Sequence, residues 1–159
     1  MSPAGRTDRG DREGGFTLLE VVCVVAIVAI LAAIALPAIP RGTSQARLQA
    51  YAIATATLLK ADRDAAIRRR TEIATEVSAL SRSLRSGATG RVVRVPDDVA
   101  FDALLAARCN QRAAGSAIKF FGSGMSCGGT IALTRGGVGF QVRVNWLTGG
   151  VEVVPVNSS

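Results

Sequence analysis

From Phe16 to Leu36 the chain is apolar in every direction, "FTLLEVVCVVAIVAILAAIAL", with only Thr17 and Glu20 strongly polar. A helix of this length rises roughly 30 Å, the thickness of a bilayer core. A buried helix of a globular protein is rarely apolar all round. The pattern therefore predicts a membrane span over 16–36. A secretory signal is the rival reading, with Ala33-Ile34-Ala35 as a small-x-small site. Against it stand the length of the run and the balanced leader, in which Arg6, Arg9 and Arg12 offset Asp8, Asp11 and Glu13.

Pro37 and Pro40 break the pattern, and a helix resumes with Thr43 or Ser44 as its N-cap. Leu48, Tyr51, Ala52, Thr55, Leu58, Leu59 and Ala66 form a stripe at helical spacing. Lys60 with Asp64, and Asp64 with Arg68, are i,i+4 pairs suited to an exposed face. Residues 16 to about 70 thus read as one long helix bent near Pro37.

In "TEIATEVSAL" Ile73, Val77 and Leu80, with Leu84 just beyond it, fit a helix, while Thr71, Ile73, Thr75 and Val77 fit a β-branched strand. Pattern alone favours the helix. "SGATG" reads as a linker and "RVVRVP" as a short strand stopped by Pro96. "DDVAFDALLAA" stays open between strand and helix, and "RCNQRAAGS" is loop-like. The last third is clearer. "AIKFF", "TIALTR", "VGFQVRVNW" and "VEVVPV" are strands joined by glycine-rich turns, an antiparallel meander with one buried face. In the third of these, Val138, Phe140, Val142, Val144 and Trp146 share a face.

Glu20 is the residue that changes the picture. A carboxylate inside hydrocarbon costs about 2.5–3.5 kcal/mol, less near a helix start whose N–H groups carry partial positive charge. Glu20 either rests at the interface or awaits a cation from another chain. Gly15, Phe16, Thr17-Leu18-Leu19, Glu20 and the long apolar helix resemble the class III leader of type IV pilins and type II secretion pseudopilins. The tail "IKFFGSGMSCGGTIAL…FQVRVNWLTGGVEV" resembles the GspH/FimT family of minor pilin-like proteins.

The resemblance implies a fold and a set of roles. The fold is α+β and pilin-like, with a long N-terminal helix, membrane-spanning in its first half, packed on a C-terminal antiparallel β-sheet domain. A prepilin peptidase cuts after Gly15, and Phe16 is then N-methylated. Glu20 pairs with the terminal amine of a neighbouring subunit, and Pro37 bends the helix. The domains are a leader (1–15), a transmembrane half-helix (16–36), a periplasmic half-helix (37–70) and a β-rich head (71–159). For "TEIATEVSAL" the resemblance favours a strand, and the strand is the expectation carried forward. One departure is Glu13-Gly14 beside the cut, where the family has a basic residue.

The implied function is that of a minor pseudopilin of a type II secretion system, a structural subunit at or near the pseudopilus tip that supports protein export. Its implied place is a single pass through the bacterial inner membrane, with the head in the periplasm. Its implied partners are the peptidase, major and minor pseudopilins, the inner membrane and secreted protein cargo. The alternative is a FimT-like minor type IV pilin that binds DNA or assists pilus assembly and DNA uptake. Arg135, Arg143 and a net charge of +7 are what it would use. The arginines are scattered and the aromatic residues few, so nucleic acid is not the expected partner.

Composition narrows the chemistry. The chain has no histidine, which removes Ser-His-Asp and Cys-His catalysis and the zinc motif built on paired histidines. No Cys-x-x-Cys pair is present, so no metal or cofactor is expected and the protein is not read as an enzyme. In a periplasmic head Cys109 and Cys127 are open between a disulfide and two free thiols, and Cys23 reads as a small apolar residue. The loop Gly122–Gly129 lacks the Gly-Lys-Ser/Thr ending of a phosphate loop and reads as a turn. Arg68-Arg69-Arg70 reads as a solvated helix end. The pairs Asp62/Asp64 and Asp97/Asp98 read as surface charge.

Overall fold

A computed structural model describes residues 16–35 and 42–157. Backbone contacts divide the chain into two units, residues 1–39 and 40–159. In the first, α1 spans Leu18–Ala35. In the second, α2 (Gln45–Arg69) is followed by strands only. Among the described residues the fold is α+β, with two helices and antiparallel sheets.

The expected membrane span is not there. Among the described residues no helix is long and apolar enough to cross a membrane. Within the described residues the helix starts at Leu18 rather than Phe16, because the Thr17 hydroxyl and carbonyl take the Glu20 amide, and α1 as described holds 18 residues, fewer than the expected span over 16–36. The transmembrane half-helix, the single pass through the inner membrane and the periplasmic placement of the head that followed from it are corrected accordingly.

The single long helix is corrected too. Thr43 and Ser44 are not helical, and Ser44 sits at φ −69°, ψ 160° as the N-cap of α2, its hydroxyl accepting from the Arg47 amide at 3.3 Å. The second helix is thus a separate nucleus with its own cap. It ends at Arg70, whose left-handed φ of 51° closes the last turn onto the Ala66 and Ile67 carbonyls. Arg68, Arg69 and Arg70 are all exposed there. Pro37, the expected bend, and Gly15, the expected cut, lie outside the described residues.

The strands are β1 (Ile73–Ser78), β2 (Ser83–Arg85), β3 (Val92–Arg94), β4 (Ala100–Leu105), β5 (Arg108–Cys109), β6 (Arg112–Ala113), β7 (Ala117–Phe120), β8 (Gly129–Arg135), β9 (Val138–Val144) and β10 (Val151–Asn157). Two four-stranded sheets form, in the orders β3-β2-β1-β7 and β10-β9-β8-β4. All their pairings are antiparallel. The stretch left open at 97–107 holds β4, paired with β8 from Ala100↔Thr134 to Leu105↔Gly129. The stretch expected as loop holds a two-residue hairpin, β5-β6, whose turn residues Asn110 and Gln111 both take positive φ.

The stripe on α2 faces the sheets. Leu48, Ala52, Thr55, Leu58, Leu59 and Ala66 are buried. Leu48, Ala52, Leu59 and Ala66 share one core with Ile73 and Val77 of β1, Leu84 of β2, Ile118 and Phe120 of β7, and Ile131, Leu133 and Val142 of the second sheet. In β1 the residues at 73, 75 and 77 are buried and those between them face outward, so period two wins over period 3.6. The reason is tertiary, since β1 hydrogen-bonds on both sides, to β2 and to β7.

Trp146 departs from the meander's expected buried face. The strand ends at Val144, and the side chain is 63% exposed. Asn145 turns the chain there. Its side-chain oxygen accepts from the Leu147 and Thr148 amides at 2.9 and 3.0 Å, which ends the alternation.

Candidate functional site

The first unit concentrates the features expected of an assembly helix. Thr17-Leu18-Leu19-Glu20 is a Ser/Thr-x-x-Glu sequence, the pattern of a capping box. The Glu20 amide reaches the Thr17 hydroxyl at 3.3 Å and the Thr17 carbonyl at 3.0 Å. Glu20 therefore stands in the first turn, where the unsatisfied N–H groups favour a negative side chain. Phe16 precedes the cap and is 83% exposed. Glu20 and Val24 follow at intervals of four, on one stripe of the helix.

Every side chain described on α1 is exposed, from Phe16 to Ala33. Leu18, Val21, Val25, Ile27, Val28 and Leu31 each expose half or more of their surface. Cys23 lies on this surface as a free thiol. A continuous apolar cylinder of this kind far exceeds the patches that monomers expose, so other apolar surface must cover it.

In the second unit Cys109 and Cys127 form a disulfide, with Cα atoms 5.5 Å apart. It ties the β5-β6 hairpin to the β7–β8 loop. In the chain-entropy model a loop of this size stabilises the fold by about 3 kcal/mol. The loop is a turn, as its sequence suggested. The Phe121 amide donates to Met125, the Ser126 amide to Trp146, the Cys127 amide to Lys119 and the Gly128 amide to the Ser126 hydroxyl. These amides are committed to internal partners rather than arrayed around an anion.

Two carboxylates read as surface charge hold structural centres instead. Asp62 is wholly buried. Its Oδ2 accepts from the Thr75 hydroxyl at 2.6 Å and the Gly87 amide at 3.1 Å, and its Oδ1 from the Ser86 hydroxyl and the Ala88 amide at 3.3 Å. The segment "SGATG" is thus an anchored turn rather than a linker. A side chain on Gly87 would collide with the Ala74 carbonyl, which is how closely the turn lies on β1. A signal for Asp62 was present in the sequence. It lies four residues after Leu58 and four before Ala66, on the apolar stripe itself.

Asp98 holds the start of α2. The Thr43 amide and hydroxyl donate to its two oxygens at 2.6 and 2.8 Å, and Arg135 Nε lies 3.1 Å from Oδ2. Arg135 also donates to the Thr43 carbonyl at 2.9 Å. The Thr43 amide first, then its hydroxyl and the Arg135 charge, hold the Asp98 carboxyl below the ordinary carboxylate value of 3.8. A folded-state pKa lowered in this way stabilises the fold above the unfolded value. That stability is lost as pH falls through the folded one. Protection of the Thr43 amide, its exchange rate taken relative to the intrinsic rate at each pH, should therefore stay high at neutral pH and fall on acidification below the ordinary carboxylate range. Asp98→Asn should show low protection throughout, with no such fall on acidification.

Arg135, a candidate DNA contact by sequence, is thus engaged with Asp98 and Thr43. Arg143 bonds Gln141 at 2.8 Å. Among the described residues no three His, Cys, Asp or Glu side chains gather to hold a metal ion.

The prokaryotic N-terminal methylation motif matches residues 10–36. Curated protein sequences give no match. Among solved structures the chain is similar to the type IV minor pilin FimU of Pseudomonas aeruginosa, with a TM-score of 0.53 and 17% identity over 71% of this chain and 92% of that one. It is also similar to the minor pseudopilin EpsH from the type 2 secretion system of Vibrio cholerae, with a TM-score of 0.52 and 13% identity over 70% of this chain and 97% of that one. The chain therefore has a pilin-like fold, shared with a minor pilin and a minor pseudopilin, behind a prokaryotic N-terminal methylation motif.

Proposed function

We propose that the chain is a structural, non-enzymatic subunit of a pilin-like filament, and more narrowly a minor pseudopilin of a type II secretion system, placed at or near the tip of the pseudopilus. The observation that carries this reading is α1, an apolar helix exposed on every side with one carboxylate, Glu20, in its first turn. Such a helix satisfies itself by packing against equivalent helices. Glu20 then needs a cation at one axial offset, which sets the register of the stack.

Removal of residues 1–15 by a prepilin peptidase frees the amine of Phe16, and that amine on a neighbouring subunit is the cation. N-methylation keeps it basic. Major and minor pseudopilins are the partners of α1, and the head is left to meet neighbours or secreted cargo. The methylation motif supports the processing steps, and the likeness to the minor pseudopilin fold supports the architecture.

A minor type IV pilin is the second reading, since the same fold occurs in one. Deleting the gene in its own host separates the two. The secretion reading expects extracellular proteins to be retained in the cell while surface pili and DNA uptake persist. Loss of pili or of DNA uptake with normal secretion would reject it.

A further inference from the structure

The chain's single tryptophan stands out of the head, 63% exposed, beside Leu147 at 54% and Met125 at 39%. Its backbone is held rigidly. The Ser126 amide donates to the Trp146 carbonyl at 3.0 Å, and the Asn145 amide bonds Gly150 at 2.8 Å. From α2, the Arg63 guanidinium donates to the Gly124 carbonyl at 3.2 Å and to the Thr148 carbonyl at 3.0 Å, so both loops are pinned to one helix. The Cys109–Cys127 disulfide fixes the wall opposite. An exposed indole on a preorganised frame pays little ordering entropy on contact, and Trp, Met and Arg are enriched at protein interfaces.

Trp146 divides two clefts of about 500 Å³ each. One has Arg108, Phe121 and Met125 in its walls. The other has Arg143, Thr130 and Glu152. Each cleft thus presents an arginine beside the indole, and the hairpin that carries Arg108 also bears Arg112. Among the described residues Glu152 is the only acidic one lining either cleft. The combination of an apolar ridge and flanking guanidinium groups is complementary to an acidic peptide segment with an apolar anchor.

We propose that the Trp146 ridge is a docking site for an acidic, apolar-anchored segment of a partner protein, distinct from the contacts made by α1. The anchor sits against Trp146, Met125 and Phe121. Carboxylates on either side of it pair with Arg108 and Arg143, and bidentate pairing fixes the segment's direction. The site concerns the head alone, so it stands whichever filament the subunit joins.

The tryptophan is its own reporter. The full-length chain, kept dispersed in a mild nonionic detergent, is titrated with three short peptides. One alternates glutamate with leucine and phenylalanine, one has glutamine for each glutamate, and one has lysine. The expected result is a saturable blue shift of Trp146 emission, with the glutamate peptide bound at least roughly tenfold more tightly than the other two. Arg108→Glu combined with Arg143→Glu should abolish that preference. Arg108 donates to the Gln111 carbonyl and Arg143 to the Gln141 side-chain oxygen, both at the exposed surface, so the substitution spares the core.

Three outcomes would overturn the proposal. One is equal affinity for all three peptides in the wild-type chain. Another is saturable quenching by a thymidine oligonucleotide but by no peptide. The third is a blue shift that grows with protein concentration alone, which would assign the ridge to a second copy of this chain.

Discussion

Replacing Asp62 by alanine should destabilise the head by about 2–4 kcal/mol, because hydrogen bonds to a charged group contribute about 1.5–3 kcal/mol each and several are lost together. Four donors converge on this carboxylate, two hydroxyls and two backbone amides. The hydroxyls of Thr75 and Ser86 can turn toward other acceptors. The amides of Gly87 and Ala88 cannot turn, and in this partly exposed turn they pass to water rather than to another protein acceptor. The loss also separates three elements at once, because Asp62 is on α2, Thr75 on β1 and Ser86–Ala88 in the turn between β2 and β3. Thermal unfolding of the variant, followed by far-UV circular dichroism, should come roughly 10 °C or more below that of the wild type. Asp62→Asn should fall between the two. Its NH2 group meets one of the two fixed amides, but its carbonyl still accepts from the other. A wild-type melting point in the alanine variant would mean that the network contributes little.

Glu20→Ala should reduce incorporation into filaments at least tenfold, because truncating one partner of a desolvated, hydrogen-bonded charge pair costs about 2–5 kcal/mol. The substitution leaves α1 in place. Its cap is Thr17, which bonds the backbone amide at position 20 and not the side chain. Alanine is also a better helix former than glutamate. The leader should still be removed, so processed subunits should accumulate outside filaments. Glu20→Asp keeps the charge on a shorter stem and should recover part of the incorporation, whereas Glu20→Gln keeps the length without the charge and should recover less. Blotting sheared filaments against the unassembled pool measures the ratio directly. Equal ratios in the wild type and the alanine variant would remove the electrostatic register from the account.

The head was legible from the sequence wherever one local period dominated. The meander of β8, β9 and β10 follows from alternation with glycine turns, and the buried face of α2 from residues three and four apart. The ambiguous run at 71–80 could not be settled by pattern, since the same residues satisfy both periods. Pairing with strands that lie far along the chain, β7 above all, decides it. Trp146 was misplaced because alternation was extended two residues past the end of the strand, and Asn145 redirects the chain there. Asp62 and Asp98 were misread for a different reason. Their partners are Thr43, Thr75, Ser86 and Arg135, residues that only the folded arrangement brings near them. The apolar run of α1 is plain in the sequence, but its start is not, because Thr17 caps the helix and keeps Phe16 out of it.

The central claim is that α1 becomes an assembly helix when the chain begins at Phe16, so that a terminal amine is present for the neighbouring Glu20. The direct test is the mass of the N-terminal peptide of subunits recovered from isolated filaments. The account predicts one species, beginning at Phe16 and carrying a single added methyl group on its amine. Filament subunits that retain residues 1–15, or that begin beyond Glu20, would contradict it.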